Sequence, residues 1–148
     1  MKKFVVTIFL TALLLSSICL AADAGVVNHV MANKIECAPE KGCAVMGSTN
    51  VQIEIPKGRP GAKHTFSTLD QLVFDTGTYK VELKIVEDAT KKVIAVIKPN
   101  SITVKNNQEI RHFNNAWEFD AKLGSYTYQV VVDDKVIGAF KISILAGK

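Results

Sequence analysis

Tyr79-Lys80-Val81-Glu82-Leu83-Lys84-Ile85-Val86, followed by Glu87-Asp88-Ala89-Thr90 and then by Val93-Ile94-Ala95-Val96-Ile97, is the stretch that decides the fold. Tyr79, Val81, Leu83 and Ile85 fall on one side of an extended chain, and Lys80, Glu82, Lys84 and Val86 on the other. A period of two is the mark of a strand with one face buried and one face wet. The polar four-residue segment in the middle, with Ala89 as its one apolar member, reads as a turn. The β-branched segment after it reads as the returning strand of an antiparallel hairpin.

The same pattern repeats on both sides. Val51, Ile53 and Ile55 alternate with Gln52 and Glu54 until Pro56 ends the run, and Leu69 to Phe74 resumes apolar character. Downstream, Pro99-Asn100-Ser101 is a break. Ile102-Thr103-Val104 and Gln108 to Phe113 flank Asn106-Asn107, and Trp117 to Phe119 reads as a short strand. Tyr126, Tyr128, Val130 and Val132 then alternate with Thr127, Gln129 and Val131. An Asp133-Asp134 turn leads to Phe140, Ile142 and Ile144 alternating with Lys141 and Ser143. No segment beyond the N-terminal run sustains an apolar period of 3.6, so helix content is expected to be low. Asn28 to Ile35 fits a strand or a short helix equally.

An internal echo supports this layout. Phe74-Asp75-Thr76-Gly77-Thr78-Tyr79 resembles Phe119-Asp120 followed, after a short insertion, by Gly124-Ser125-Tyr126, and each copy runs on to Lys-Val-Ile-Ala (92–95) or Lys-Val-Ile-Gly (135–138). Glycine suits a tight entry into a strand through its tolerance of positive φ, and a tyrosine two residues later buries its ring while keeping its hydroxyl at an edge. These Gly-x-Tyr openings resemble those of immunoglobulin-like and fibronectin-type-III-like bacterial domains over residues 50–146. The expected fold is therefore an all-β, antiparallel two-sheet sandwich, with a small closed β-barrel as the alternative. The resemblance is architectural, and such folds host many functions.

The N-terminus has the parts of an export signal in order. Lys2 and Lys3 precede an uncharged apolar run from Phe4 to Leu20, and Ala22-Asp23-Ala24 offers small residues for a peptidase to cut before Gly25; Cys19-Leu20-Ala21 offers a second site, before Ala22. The run falls short of the about 20 apolar residues of a membrane span, so residues 1–24 read as a cleaved signal peptide with no transmembrane segment left behind. The paired lysines and short length point to a bacterial periplasm, with full secretion as the alternative. Residues 25–49 then form an N-terminal segment belonging to the same domain as residues 50–148.

Removal of residues 1–24 leaves 16 basic against 13 acidic side chains, and two cysteines, Cys37 and Cys43. So small a basic excess gives no concentrated face for nucleic acid. In an oxidising compartment the two cysteines, with five residues between them, are expected to form a local disulfide. The short loop gives it a stabilising effect of about 2 kcal/mol.

Chemistry-bearing residues are scattered. His29, Met31 and Met46, with the cysteines, are the candidates for a soft metal such as copper, at spacings that match no metal motif. His112 shares a strand face with Ile110. Glu87-Asp88 and Asp133-Asp134 are carboxylate pairs in turns, where acids are solvated rather than set up for acid–base catalysis, and their spacing does not fit an EF-hand. No Gly-x-Ser-x-Gly elbow is present. The segment Pro56 to His64 is read as a loop whose Lys57, Arg59, Lys63 and His64 make a candidate binding site for an anionic or acidic partner. Phe113 and Trp117 are the candidate aromatic patch, with a buried tryptophan as the competing reading.

With a well-specified scaffold and no catalytic constellation, the expected function is a non-enzymatic binding module of the bacterial cell envelope that uses no cofactor. Its partner would be a protein or an envelope component. A periplasmic copper carrier and a proteinaceous inhibitor of an envelope hydrolase are the alternatives. Partner and oligomeric state are open at this stage.

Overall fold

The computed structural model describes residues 24–32, 34–38, 42–46, 52–55, 63–99, 101–120 and 122–147. The regular structure among them is all strand: β1 (Ala24–Ala32), β2 (Lys34–Ala38), β3 (Gly42–Met46), β4 (Gln52–Ile55), β5 (Lys63–Phe74), β6 (Gly77–Tyr79), β7 (Val81–Glu87), β8 (Val93–Ile97), β9 (Ile102–Val104), β10 (Glu109–Asp120), β11 (Gly124–Val132) and β12 (Lys135–Ala146).

β7 carries the alternation that opened the sequence reading, and it lies inside a five-stranded sheet of order β4-β12-β11-β7-β8. Val81, Leu83 and Ile85 are buried, while Glu82 and Lys84 pair with each other on the outer face. A three-stranded sheet of order β1-β5-β10 covers the buried face. Leu72 and Phe74 of β5, Tyr128 and Val130 of β11, and Ile142 and Ile144 of β12 fill the space between the sheets. Pairing is antiparallel throughout both sheets except where β4 runs parallel to β12.

The order β1-β5-β10 against β12-β11-β7 is the A-B-E against G-F-C arrangement of an immunoglobulin-type sandwich. The all-β antiparallel sandwich expected from the sequence is what forms. Among the described residues neither sheet closes, with β1, β10, β4 and β8 at the edges, so the closed barrel is not the fold.

Three local readings need correction and one left open is decided. The strand beginning at Tyr79 is two, broken at Lys80: β6 pairs with β9, and β7 pairs with β11 and β8. Glu109 to Phe113 and Trp117 to Phe119 are one strand, β10, with Gln108 left in the turn before it, because β5 offers an unbroken register from Phe74 to Lys63 that carries Asn114 and Asn115 across. That register also places Lys63 and His64 in β5, opposite Asp120 and Phe119, so the loop reading for 56–64 fails at its last two residues. Asn28 to Ile35, left open between strand and helix, is strand on both sides of position 33.

Within β1 the register shifts between Val26 and Asn28. This bulge changes the phase of the strand. Ala24 and Val26 face the core before it, and His29 and Met31 after it. β2 and β3 form a hairpin in which Cys37 and Cys43 are directly opposite and bonded, as expected. Ile35 of this hairpin packs with Ala32 and Leu69 into a small second cluster on the outer side of the three-stranded sheet.

Candidate functional site

On β5 the core-facing phase of Phe66, Leu72 and Phe74 includes Thr68 and Asp70, so alternation drives a carboxylate into the interior. The β1–β5 register sets His29 directly opposite Asp70, and the β1 bulge turns its ring inward. His29 Nδ1 and Asp70 Oδ1 are 2.7 Å apart. From the other sheet, the Tyr128 hydroxyl donates to Asp70 Oδ2 at 2.5 Å. The carboxylate is thus bonded through both oxygens, and Asp70 has 0% of its surface exposed.

The surroundings are aromatic. The His29 ring stacks on Phe140 with centroids 3.8 Å apart and lies near-parallel to Tyr128 at 5.0 Å. Trp117 closes the other side, edge-on to Tyr128, and its Nε1 donates to Thr68 Oγ1 at 2.9 Å. Burial, and then the adjacent Asp70 carboxylate, push the Tyr128 phenol well above its usual range, so it stays protonated and acts as a donor. Among the described residues, His29 Nε2 and Asn115 Nδ2 are buried with no hydrogen-bond partner.

Carboxylate, imidazole and phenol are the parts of an acid–base array, but here they face one another across the sandwich. The Tyr126 hydroxyl donates to the Lys122 carbonyl at 2.9 Å and accepts from the Lys122 amide, which makes a tyrosine corner at the entry to β11. In immunoglobulin domains the residue two positions after that tyrosine is the cysteine bridged to strand B. That position here is Tyr128, and its partner on the strand-B equivalent is Asp70. The Tyr79 hydroxyl makes the matching bond to the Asp75 carbonyl at 3.1 Å, so the sequence echo marks two corners.

The glycines of the echo serve different ends. Gly124 has φ of 149°, but Gly77 has no positive φ and instead leaves room for the Tyr79 side chain, whose hydroxyl a Cβ would meet at 3.1 Å and whose ring at 3.2 Å.

The residues singled out in the sequence do not converge. Lys57 and Arg59 lie outside the described residues. Lys63 is ion-paired with Glu118 at 2.6 Å, and that bond raises its pKa. The backbone of His64 is in β5, with its side chain outside the described set. Phe113 and Trp117 do not form a surface patch. Trp117 is 3% exposed with its indole nitrogen bonded inside, and Phe113 packs half-buried against the core. Of the soft ligands, Met31 is buried in the core, His29 has Nδ1 engaged by Asp70, and the cysteines are consumed by their bridge. Met46 lies in β3, opposite Lys34, with its side chain outside the described set. Among the described residues no three of His, Cys, Asp and Glu converge as a metal set, and no helix is long and apolar enough to cross a membrane. A shallow surface recess of about 290 Å³ lies between β8 and the end of β10, lined by Lys63, Ile94, Glu118, Phe119 and Asp120.

No protein-family model matches the chain, and no curated protein matches it in sequence. Solved structures do resemble it. The alkylpurine DNA glycosylase AlkC of Pseudomonas fluorescens, bound to DNA containing an abasic site analog, superposes with a TM-score of 0.55 at 12% identity over 86% of this chain. The chain spans about a third of that protein, 32% of its length. The C-terminal domain of wzt gives 0.52 at 10% identity, covering 85% of this chain and 75% of the domain. An immunoglobulin-like protein from Pseudomonas aeruginosa gives 0.42 at 12% identity, covering 83% and 97%. At these identities the likeness extends to the fold alone. The class that fold and interior define is an immunoglobulin-like sandwich whose sheets are joined by a polar bond.

Proposed function

We propose that the chain is exported through its N-terminal segment and works in the periplasm as a non-catalytic binding module of the cell envelope. The observation that carries this reading is the burial of the array most like a catalytic one. Asp70 of the His29–Asp70–Tyr128 set has no accessible surface and spends both oxygens on structural hydrogen bonds. A substrate reaches it only if the sandwich opens. The Lys-Lys start, the apolar run and the Cys37–Cys43 bridge support an oxidising destination. Binding is supported by what the described residues leave outside: strand edges unpaired among them, and exposed Val93, Val96, Val136 and Leu145. The small net charge argues for a protein or envelope component over nucleic acid.

The test has two arms. Fractionation of cells carrying the tagged full chain should place the processed protein in the periplasm. The purified domain, immobilised and challenged with envelope extract, should retain one stoichiometric component through a salt wash. Turnover of a substrate by the purified domain, abolished by one side-chain change that leaves it folded, would overturn the reading.

A further inference from the structure

We propose that the Cys37–Cys43 bridge is a site of thiol–disulfide exchange, attacked at Cys43 by a partner's dithiol, with Cys37 as the leaving thiolate. The two cysteines are six positions apart in a hairpin whose backbone already pairs Lys34–Ala38 with Gly42–Met46. A bond closing so short a loop constrains little of the unfolded chain. The hairpin stands outside the ladders of both sheets of the sandwich, and both cysteines are exposed. Structural cysteines are typically buried and inert, whereas exchange requires access to sulfur.

The two sulfurs are not equivalent. β2 lies against β5 and β10, and β3 is paired to β2. On β2, Cys37 Sγ accepts from Asn114 Nδ2 of β10 at 3.4 Å. That amide belongs to a strand held along its whole length by β5, so the donor is in place before any bond breaks. Negative charge arriving on Cys37 Sγ strengthens the hydrogen bond. The sulfur better able to carry charge is the better leaving group. Cys43, on β3 between Gly42 and Ala44, has no such donor among the described residues, and so it takes the attack.

The exchange runs in two steps. An incoming thiolate, its proton left to water, forms a bond to Cys43 Sγ while the Cys37–Cys43 bond breaks, and the bonding pair leaves on Cys37 Sγ beside the Asn114 amide. The second sulfur of the partner, likewise deprotonated, then attacks the partner's own sulfur in the mixed disulfide and releases Cys43 as a thiolate. The partner ends as a disulfide. The bridge has gained two electrons, and both cysteines take up protons from water. Exchange concerns the hairpin alone and is independent of what the sandwich binds.

The test mixes the purified oxidised protein with glutathione, traps the reaction early with a maleimide, and maps both labels by mass spectrometry after digestion. Glutathione is expected on Cys43 and the maleimide on Cys37. Asn114→Ala should slow the exchange by about fivefold, the worth of one hydrogen bond, and spread glutathione over both cysteines. A purely structural role for Asn114 predicts the reverse, since a loosened hairpin exposes its bridge and reacts faster. Amide exchange in the core of β7 reports whether the variant is folded. Glutathione on Cys37, or equally on both cysteines of the natural protein, overturns the proposal. So does an Asn114→Ala rate equal to or above the natural one, or a reduction no faster than the unfolding that β7 amides report.

Discussion

The Tyr128 hydroxyl and the Asp70 carboxylate are joined at 2.5 Å between strands of opposite sheets, at the place where antibody domains put a disulfide between strands B and F. A disulfide works mainly on the unfolded chain, by shortening the loops it can explore. A hydrogen bond to a carboxylate works in the folded state, and only while every partner is in place. An Asp70 stripped of water is tolerable because His29 and Tyr128 each give it a donor. The bond therefore ties the two sheets together, and its loss leaves Asp70 Oδ2 buried without a donor while Oδ1 keeps His29.

Tyr128→Phe keeps the ring and removes the donor, so it should destabilise the domain by about 1–3 kcal/mol, as for a buried acceptor left unsatisfied. Asp70→Ala removes the centre of the network and also opens a cavity, and should cost more, about 3–5 kcal/mol. Urea unfolding of both single variants and the double variant should return a coupling energy well above zero. Additive losses would show that the two side chains do not support each other.

Much of the scaffold was legible because apolar alternation is local. β8 and β9 begin and end where Val93–Ile97 and Ile102–Val104 were read, and the Gly-x-Tyr echo marks two real tyrosine corners. The joining of Asn114 and Asn115 into β10 was not legible, because the continuous register comes from β5, more than forty residues away in sequence. The interior network was missed for the same reason. His29, Asp70 and Tyr128 are unremarkable in their own segments and meet only through pairing and sheet stacking. One signal was present: Thr68 and Asp70 occupy the apolar phase between Phe66 and Leu72. A charge in that phase marks a residue whose partner is in the core.

The turn between β11 and β12 has two residues, Asp133 and Asp134, with φ of 47° and 65°. Two successive positive φ values fit a type I′ hairpin turn, whose second position prefers glycine. Asp134→Gly should stabilise the domain by about 0.5 kcal/mol. Asp133→Gly should destabilise it by about 1 kcal/mol, because the Asp133 carboxylate accepts from the Lys80 amide at 2.8 Å. Thermal unfolding of the two variants should move in opposite directions.

Reducing Cys37–Cys43 should cost at most about 2 kcal/mol and leave the sandwich folded. Among the described side chains, the bridged hairpin adds Ile35 to the small outer cluster and none to the main core. Denaturant curves with and without a thiol reductant should keep a single cooperative transition, displaced to lower denaturant. Collapse of the near-ultraviolet signal on reduction would contradict this.

Asp88 accepts from Lys141 at 2.8 Å and from the Thr127 hydroxyl at 2.6 Å, and these bonds hold its carboxyl below the usual aspartate range. A lowered folded-state pKa contributes stability above the ordinary aspartate pKa, and that contribution disappears as pH falls through the folded value. Asp88 is partly exposed and its partner Lys141 is largely so, and screening by water should keep the effect below about 1 kcal/mol. Carbon-detected NMR should find the Asp88 midpoint below that of a typical exposed aspartate in the native domain and shifted upward in Lys141→Ala. Equal midpoints in the two proteins would remove Lys141 as the cause.

If the chain is exported and processed as proposed, sequence and structure favour different cleavage sites. Small residues favour a cut before Gly25, with a second option before Ala22. Ala24, however, begins β1 opposite Phe74, and at 7% exposure its side chain is part of the main core. A cut before Gly25 deletes that residue, uncovers part of Phe74 and leaves the new ammonium at the end of a paired strand, next to apolar surface that cannot solvate it. A cut before Ala22 leaves Ala22 and Asp23 ahead of the strand and β1 whole. The mature protein should therefore begin at Ala22, and intact-mass measurement of the processed chain decides the point directly. A mass corresponding to Gly25 would mean that β1 tolerates the loss of its first core residue. In that case a chain made to start at Ala22 should be measurably more stable than the natural product.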